Sequence, residues 1–241
     1  RSCSCNVGPG ARAAPGAAGF SRRSVMSREN RTARAAPDPS CILTGRSDSA
    51  TVTTRHARDL GPTDLVWDHF SRPHADDVVG RIHAAAAAGY AGIGLYVGAW
   101  VSVRDDPAAI DAIDAALDET GIVVANIEVA RGWASPDRAD ENCRRTEALA
   151  YEMADRWECR YLQVIGDFTG TLSEAAVGFG ALCDRAAEHG LLVGLEWVQS
   201  MTNIENAATA AQIVLEADRA NGGFCVDSWH LTRSTNDIED L

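Results

Sequence analysis

One unit of the predicted fold lies in residues 191–227, which read LLVGLEWVQSMTNIENAATAAQIVLEADRANGGFCVD. It begins with the apolar run LLVGLE (191–196) and ends with GFCVD (223–227), and an Ala-rich helical pattern over residues 204–220 separates them. Both runs are continuous rather than alternating, which is typical of strands buried on both faces of a sheet. The stretch therefore predicts a strand–helix–strand unit with parallel strands.

The same pattern extends toward the N-terminus. Four more apolar runs occupy residues 64–67, 91–97, 122–128 and 161–165, and helical patterns occupy residues 76–88, 107–120, 136–157 and 173–189. Six strands alternating with helices predict an α/β fold with a parallel sheet. Two architectures compete, a doubly wound open sheet and a (β/α) barrel. No G-x-G-x-x-G follows the first strand, which removes the best reason to choose a dinucleotide-binding fold.

The composition excludes several classes of chemistry. All 22 basic residues are arginine, so Schiff-base aldolases, pyridoxal-phosphate enzymes and P-loop proteins are ruled out, because each needs a lysine. No apolar run approaches the roughly 20 residues that span a bilayer, so no membrane partner is expected. The seven cysteines include no Cys-x-x-Cys pair, which favours a reduced cytoplasmic protein over a disulfide framework or a zinc ribbon.

The charge divides the chain into two parts. Residues 1–60 contain 10 Arg and 4 acidic residues and are rich in Ala, Gly, Ser and Pro, which predicts a disordered basic extension. Residues 61–241 contain 12 Arg and 30 acidic residues and hold the predicted barrel. This acidic excess disfavours nucleic acid as a partner, since that affinity comes mainly from neutralising phosphates. The expected partners are a small sugar or polyol and, as one alternative, a second copy of the chain.

Candidate site residues stand where parallel α/β folds carry their chemistry, at the C-terminal ends of the strands. Glu196 ends the fifth predicted strand, and Asp227 ends the sixth, with His230 three residues later. Two carboxylates and an imidazole on adjacent units predict a divalent-metal site. The alternatives are a salt bridge at the rim for Glu196 and a helix N-cap for Asp227.

Other strand ends supply weaker candidates for substrate binding. Glu128 ends the third strand and is a candidate ligand for substrate hydroxyls, with an ion pair to an arginine as the alternative. Trp197 and Trp229 could form an apolar wall for a sugar ring or simply pack in the core. Arg233 could hold a phosphate or carboxylate, or pair with an acid.

The segments VGLE (193–196) and FCVDSWHLTR (224–233) resemble the xylose-isomerase-like TIM-barrel superfamily, which contains sugar phosphate isomerases and epimerases. The resemblance covers roughly residues 63–241. It implies that Glu196 and Asp227 bind Mn²⁺, Mg²⁺, Co²⁺ or Zn²⁺, and that His230 contacts substrate or metal. It also implies catalytic roles for Glu196 and His230, with Glu196 moving a proton through an enediolate.

The resemblance also implies a C-terminally truncated barrel. The family's remaining ligands are a histidine on strand seven and a glutamate on strand eight, whereas this sequence ends at Leu241, in the helical segment after strand six. About six of eight βα units are therefore expected, with doubtful activity. The expected function is metal-dependent isomerisation or epimerisation of a sugar, sugar phosphate or related polyol. The alternatives are an inosose-type dehydratase and a non-catalytic barrel. An endonuclease IV-like function is disfavoured, because strands two and three lack the zinc-binding histidines of that branch.

Overall fold

The computed structural model describes residues 55–61, 63–68, 77–134, 141–199 and 202–234, without the side chain of Asn142. Most of the predicted N-terminal extension lies outside these residues. Of its last six residues, Ala57–Asp59 form a short 3₁₀ helix. His56 beside it pairs through Nδ1 with Oε2 of Glu158 at 2.7 Å.

In the part of the chain that the structure describes, six strands form one parallel sheet in the order β1-β2-β3-β4-β5-β6. They are β1 (Val66–Trp67), β2 (Gly92–Tyr96), β3 (Val123–Ala130), β4 (Tyr161–Val164), β5 (Leu192–Leu195) and β6 (Gly222–Phe224). A doubly wound sheet reverses its strand order at a switch point, whereas here every strand pairs with the next one in the chain. The structure thus confirms the parallel α/β prediction and selects the barrel architecture. Within the described residues β1 and β6 do not pair, so the sheet provides six of the eight strands of a closed barrel.

The described residues contain seven α-helices, six between consecutive strands and one after β6, and five of them match the predicted patterns. They are α1 (Val78–Ala87), α2 (Val97–Val103), α3 (Pro107–Thr120), α4 (Glu141–Trp157), α5 (Leu172–Ala187), α6 (Ala207–Ala217) and α7 (Ser228–Arg233). Helix α3 shows how residues at the two ends of a helical pattern set the bounds of the helix. The Asp106 side chain accepts hydrogen bonds from the first backbone N–H groups, Pro107 opens the helix, and Gly121 ends it at φ 69°. No described helix is long and apolar enough to cross a bilayer.

The main core lies between the sheet and the helices. Alternate residues of β2, β4 and β5 point into it, such as Leu162 and Val164 of β4 and Val193 and Leu195 of β5. The residues between them, including Gln163, and Glu196 just beyond β5 point to the other face of the sheet, because side chains alternate along a strand. That second face is polar near the C-terminal strand ends, and the candidate site lies there.

Candidate metal centre and cavity

Glu196 is a buried carboxylate directly after β5. Its backbone N–H donates to the carbonyl of Val164 at 2.9 Å, which continues the ladder to β4 and fixes the side chain's direction. Only 7% of the residue is exposed. The side-chain amide of Gln163 donates to Oε2 at 2.7 Å. Burial raises the pKa of Glu196 above its ordinary value, and the Gln163 hydrogen bond opposes this shift.

Asp227 and His230 are brought together by the first turn of α7. Oδ1 of Asp227 accepts a hydrogen bond from the backbone N–H of Trp229 at 2.7 Å, so Asp227 is the N-cap of this helix. Oδ2 of Asp227 faces Nε2 of His230 at 3.8 Å. The cap and the ligand interpretations are therefore compatible, because each uses a different oxygen of the same carboxylate.

The three predicted metal-site residues converge on one point. Nε2 of His230 lies 4.0 Å from Oε1 of Glu196, and the candidate ligand atoms of Glu196, Asp227 and His230 all lie within 4.8 Å of one another. Ligands that bind one ion at about 2.0–2.2 Å stand roughly 3–4 Å apart. Two carboxylate oxygens and one imidazole nitrogen suit Mn²⁺, Co²⁺ or Zn²⁺. The donor set and its spacing fit a divalent cation, and metal binding itself stays a prediction.

This cluster lies in a cavity of about 430 Å³ at the C-terminal strand ends. Its lining includes four carboxylates, which are Asp68, Glu128, Glu196 and Asp227, together with Gln163, Cys225 and His230. Asp68 and Cys225 were not among the predicted site residues. Asp68 follows β1 and Cys225 follows β6, so the strand-end rule points to both, while Gln163 is found by alternation along β4. Burial raises the pKa of Cys225 to about 12, which keeps it a neutral thiol.

Glu128 lies in the cavity lining and near an arginine, so both of its predicted roles stay predictions. It is 1% exposed and lines the cavity. Burial lowers the pKa of Arg81 in α1. The negative charge of Glu128 opposes this shift, so the two side chains lie near each other. Arg81 itself is 8% exposed, and its Nε and Nη2 have no hydrogen-bond partner among the described residues. An arginine charge therefore lies near Glu128 but outside the cavity lining.

The three remaining predicted substrate-binding residues lie outside the cavity lining. Trp197 is fully buried in the main core, because it follows Glu196 by one position and so points to the opposite face. Its predicted contact with substrate is therefore corrected to core packing. Trp229 is 59% exposed on α7, and the guanidinium carbon of Arg233 lies 3.3 Å from the centroid of its ring. Arg233 and Trp229 thus stack on each other at the surface.

Comparison with known proteins gives one family and several similar folds. A family model described as a xylose isomerase-like TIM barrel matches residues 82–241. A search of the curated proteins gives no significant match. Many solved structures share the fold at low identity, and three of them illustrate the range.

The IOLI protein with a bound zinc atom matches at 16% identity and TM-score 0.61, over 73% of this chain and 67% of that one. A D-psicose 3-epimerase, solved in the presence of D-fructose, matches at 14% identity and TM-score 0.56, over 73% of this chain and 67% of that one. The probable 3-DHS dehydratase AsbF from Bacillus anthracis matches at 14% identity and TM-score 0.57, over 70% of this chain and 64% of that one. The chain thus spans about two thirds of the length of these proteins.

Proposed function

Because this chain belongs to the xylose isomerase-like TIM barrel family, we propose that it supports divalent-metal-dependent isomerisation or epimerisation of a sugar, sugar phosphate or related polyol. The observation that carries the proposal is the convergence of Glu196, Asp227 and His230 within 4.8 Å in a cavity at the C-terminal strand ends. A similar fold is seen in a protein with bound zinc and in a sugar epimerase.

The residues divide the chemistry between them. Oε1 of Glu196, Oδ2 of Asp227 and Nε2 of His230 would hold the cation. When bound, a divalent cation polarises a carbonyl and the adjacent hydroxyl. Glu196 removes the proton from the carbon next to the carbonyl and returns it to the neighbouring carbon or to the other face.

A dehydratase is the second candidate, and one observation favours it. The fold of this chain is similar to that of a probable dehydratase, and a dehydratase can begin with the same proton removal. It then loses a neighbouring hydroxyl as water instead of regaining the proton on carbon. A barrel that binds a ligand without turnover is the third candidate.

Metal titration and isotope exchange test these candidates together. Calorimetric titration of Mn²⁺ should show binding to the native chain and much weaker binding to Glu196→Gln and Asp227→Asn. Glu188→Gln is a matched control, because Glu188 is an exposed residue at the C-terminal end of α5. Equal Mn²⁺ binding by all four proteins would reject the metal assignment.

Nuclear magnetic resonance in D₂O then separates the reactions. Isomerisation or epimerisation of a ketose puts solvent deuterium on a substrate carbon, whereas dehydration produces a new unsaturated carbonyl compound. Metal binding with neither product across a panel of ketoses and inososes would favour the binding-only candidate.

A further inference from the structure

Asp68 is a carboxylate of the cavity lining that the proposed metal site does not use. It is the first residue after β1, as Glu196 is the first residue after β5. Both residues line the same cavity. The side-chain amide of Asn126 donates a hydrogen bond to the Asp68 carboxylate. The cavity therefore contains a second carboxylate, at a strand end like the first, that a neutral group holds in place.

Gly94 shows in which direction the Asp68 side chain points. Ile93 and Leu95 of β2 lie in the main core between the sheet and the helices. Gly94 between them thus faces the other side of the sheet, where the cavity lies, because side-chain positions alternate along a strand. A Cβ on Gly94 would lie 2.5 Å from Oδ1 of Asp68. The carboxylate therefore lies over the inner face of β2, and a side chain at position 94 would displace it.

The strand order places Asp68 and Glu196 on opposite sides of the cavity. Strands β1 and β5 are four positions apart in the sheet, which is half the circumference of an eight-stranded barrel. Burial is the main cause that raises the pKa of Glu196, and the charge of Asp68 adds to it, so the two carboxylates influence each other across the cavity. A ligand in this cavity of about 430 Å³ would have one carboxylate on each side.

This arrangement matters for the choice between two proton transfers. Moving a carbonyl between neighbouring carbons needs one carboxylate, which takes a proton from one carbon and gives it to the next on the same face. Inverting a carbon needs a proton removed from one face and a proton delivered to the opposite face. Two positioned carboxylates on opposite sides of the ligand suit the second reaction.

We propose that Asp68 is a second catalytic residue, which exchanges a proton with the substrate on the face opposite to Glu196, so that the reaction is an epimerisation. The proposal rests on the proposed function, because it assigns a further residue to the same reaction. Delivery of the proton by Asp68 takes the place of its return to the other face by Glu196.

The proton transfers balance without a further reactant. Glu196 takes the proton, the C–H bond breaks, and its electron pair forms the double bond of an enediolate while the carbonyl oxygen gains the charge. The protonated carboxyl of Asp68 then gives its proton to the opposite face of the same carbon, and the carbonyl forms again. The reverse reaction exchanges the two roles, and both carboxyl groups return to their starting states by exchange with water.

Deuterium exchange at one carbon tests the proposal. The probes are two pairs of ketohexoses that differ only at C3, D-fructose with D-psicose and D-tagatose with D-sorbose, in D₂O with Mn²⁺. In the first turnovers of the native protein, nuclear magnetic resonance should show deuterium at C3 of the product and little at C3 of the recovered substrate. The reason is that the group that removes the proton is not the group that delivers one.

Asp68→Asn separates proton removal from inversion. It should lower the rate of epimerisation at least about 100-fold, the lower end of what a general acid or base contributes. One member of a pair should still exchange its C3 proton with D₂O through Glu196, with its configuration kept. Asp64→Asn is the matched control, because Asp64 bonds Arg55 and Gly61 and does not line the cavity.

A second variant and a binding measurement keep the test independent of one substitution. Gly94→Ala should reproduce the loss of epimerisation, because its Cβ displaces the Asp68 carboxylate, and Gly223→Ala is its control, since a Cβ there meets nothing within 4 Å. Asp68→Asn should weaken Mn²⁺ binding far less than Asp227→Asn does, because Asp68 is outside the group of converging ligand atoms. Circular dichroism confirms that each variant folds.

The outcomes distinguish failure of this proposal from failure of the proposed function. Equal epimerisation by Asp68→Asn and Asp64→Asn would overturn the role of Asp68 and leave the proposed function intact. An aldose as the product of the native protein would do the same. If the native protein bound Mn²⁺ but gave neither exchange nor product with any probe, the proposed function would fail and the role of Asp68 with it.

Discussion

Two buried glutamates show how differently the helical layer and the cavity treat a charge. Glu147 of α4 is 4% exposed and Glu196 is 7% exposed. Both oxygens of Glu147 accept from Arg185, at 2.5 and 3.1 Å, and the hydroxyl of Tyr151 donates to it at 2.9 Å. Glu196 instead receives an amide hydrogen bond from Gln163 and faces His230 at 4.0 Å. A guanidinium neutralises the first carboxylate, whereas the second keeps a charge available to a cation.

The same contrast holds between the aspartates outside the cavity and those that line it. Outside the cavity, Asp184 is paired with Arg219, Asp114 with Arg156 and Asp155 with His189. Inside the cavity, Asp68 lies against Asn126, and Asp227 caps a helix and faces His230. In the cavity, Glu196 and Asp227 share one imidazole at 3.8–4.0 Å, and burying charges that are only partly neutralised is costly. A site that carries this cost is a better functional candidate than one in which the charge is paired.

The largest expected difference is in metal affinity. Glu196→Gln should weaken Mn²⁺ binding at least about 100-fold, because it removes a charged oxygen ligand from a site in which even supporting residues account for about 10–100-fold. Glu147→Gln should leave Mn²⁺ affinity unchanged. Titration calorimetry on the two variants checks this, and comparable losses from both would mean that the contrast between the two regions is only structural.

The free energy of unfolding should change more in Glu147→Gln than in Glu196→Gln, the reverse of the order expected for metal affinity. Glu147→Gln removes the partner of a guanidinium that is one-third exposed, so we expect a cost of about 2 kcal/mol, below the 3–5 kcal/mol of a fully buried pair. Glu196→Gln should be neutral or stabilising in metal-free buffer. Folding raises the pKa of Glu196, so its ionisation costs stability as the pH rises above the ordinary carboxyl pKa, and the amide avoids that cost.

Urea denaturation at pH 7 with chelator present measures both changes. If Glu196→Gln lowered the free energy of unfolding by more than about 1 kcal/mol, the cavity carboxylate would contribute to folding as Glu147 does, and the contrast between the two glutamates would fail. The measurement is independent of turnover.

A smaller effect should come from Gln163, which orients Glu196 without needing to bind the cation itself. Gln163→Leu removes the 2.7 Å hydrogen bond to Oε2 and should weaken Mn²⁺ binding about tenfold, the lower end expected for a supporting residue. Tyr151→Phe is the corresponding change beside Glu147, since it removes a 2.9 Å hydrogen bond. It should leave metal affinity unaltered, and a tenfold loss from that variant would indicate a global rather than a local effect.

The sequence predicted the sheet well because burial on both faces leaves a simple pattern. The predicted run at 161–165 and the observed β4 differ by one residue, and α3 has the predicted bounds of 107 and 120. Helix α2 was missed because its residues, VGAWVSV, continue an apolar strand-like run and contain three valines. It is held by packing instead, since Trp100 lies edge-to-face on Trp157 at 5.1 Å.

The candidate site was predictable where residue type and strand end coincide. Glu196, Asp227 and His230 needed only the rule that parallel α/β folds gather chemistry at the C-terminal strand ends. The Trp197 side chain was misplaced because a residue beyond a strand end was treated as facing the cavity, although alternation turns it into the core. The closeness of Asn126 and Asp68 could not be found from the sequence, because both side chains meet over Gly94 on the strand between them.

The smallest expected effect separates the two roles of Asp227. One oxygen caps α7 through the N–H of Trp229 and the other faces His230. Asp227→Asn should lose metal affinity but keep the cap, since asparagine is as good an N-cap as aspartate. Asp227→Ala should lose both, at a cap cost of about 1 kcal/mol. Amide hydrogen exchange in α7, measured with chelator present, should therefore be about fivefold faster in Asp227→Ala than in Asp227→Asn, while both variants bind Mn²⁺ equally weakly. If the two variants exchanged at the same rate, the capping hydrogen bond would contribute nothing to α7, and Asp227 would be held in place by something other than its helix.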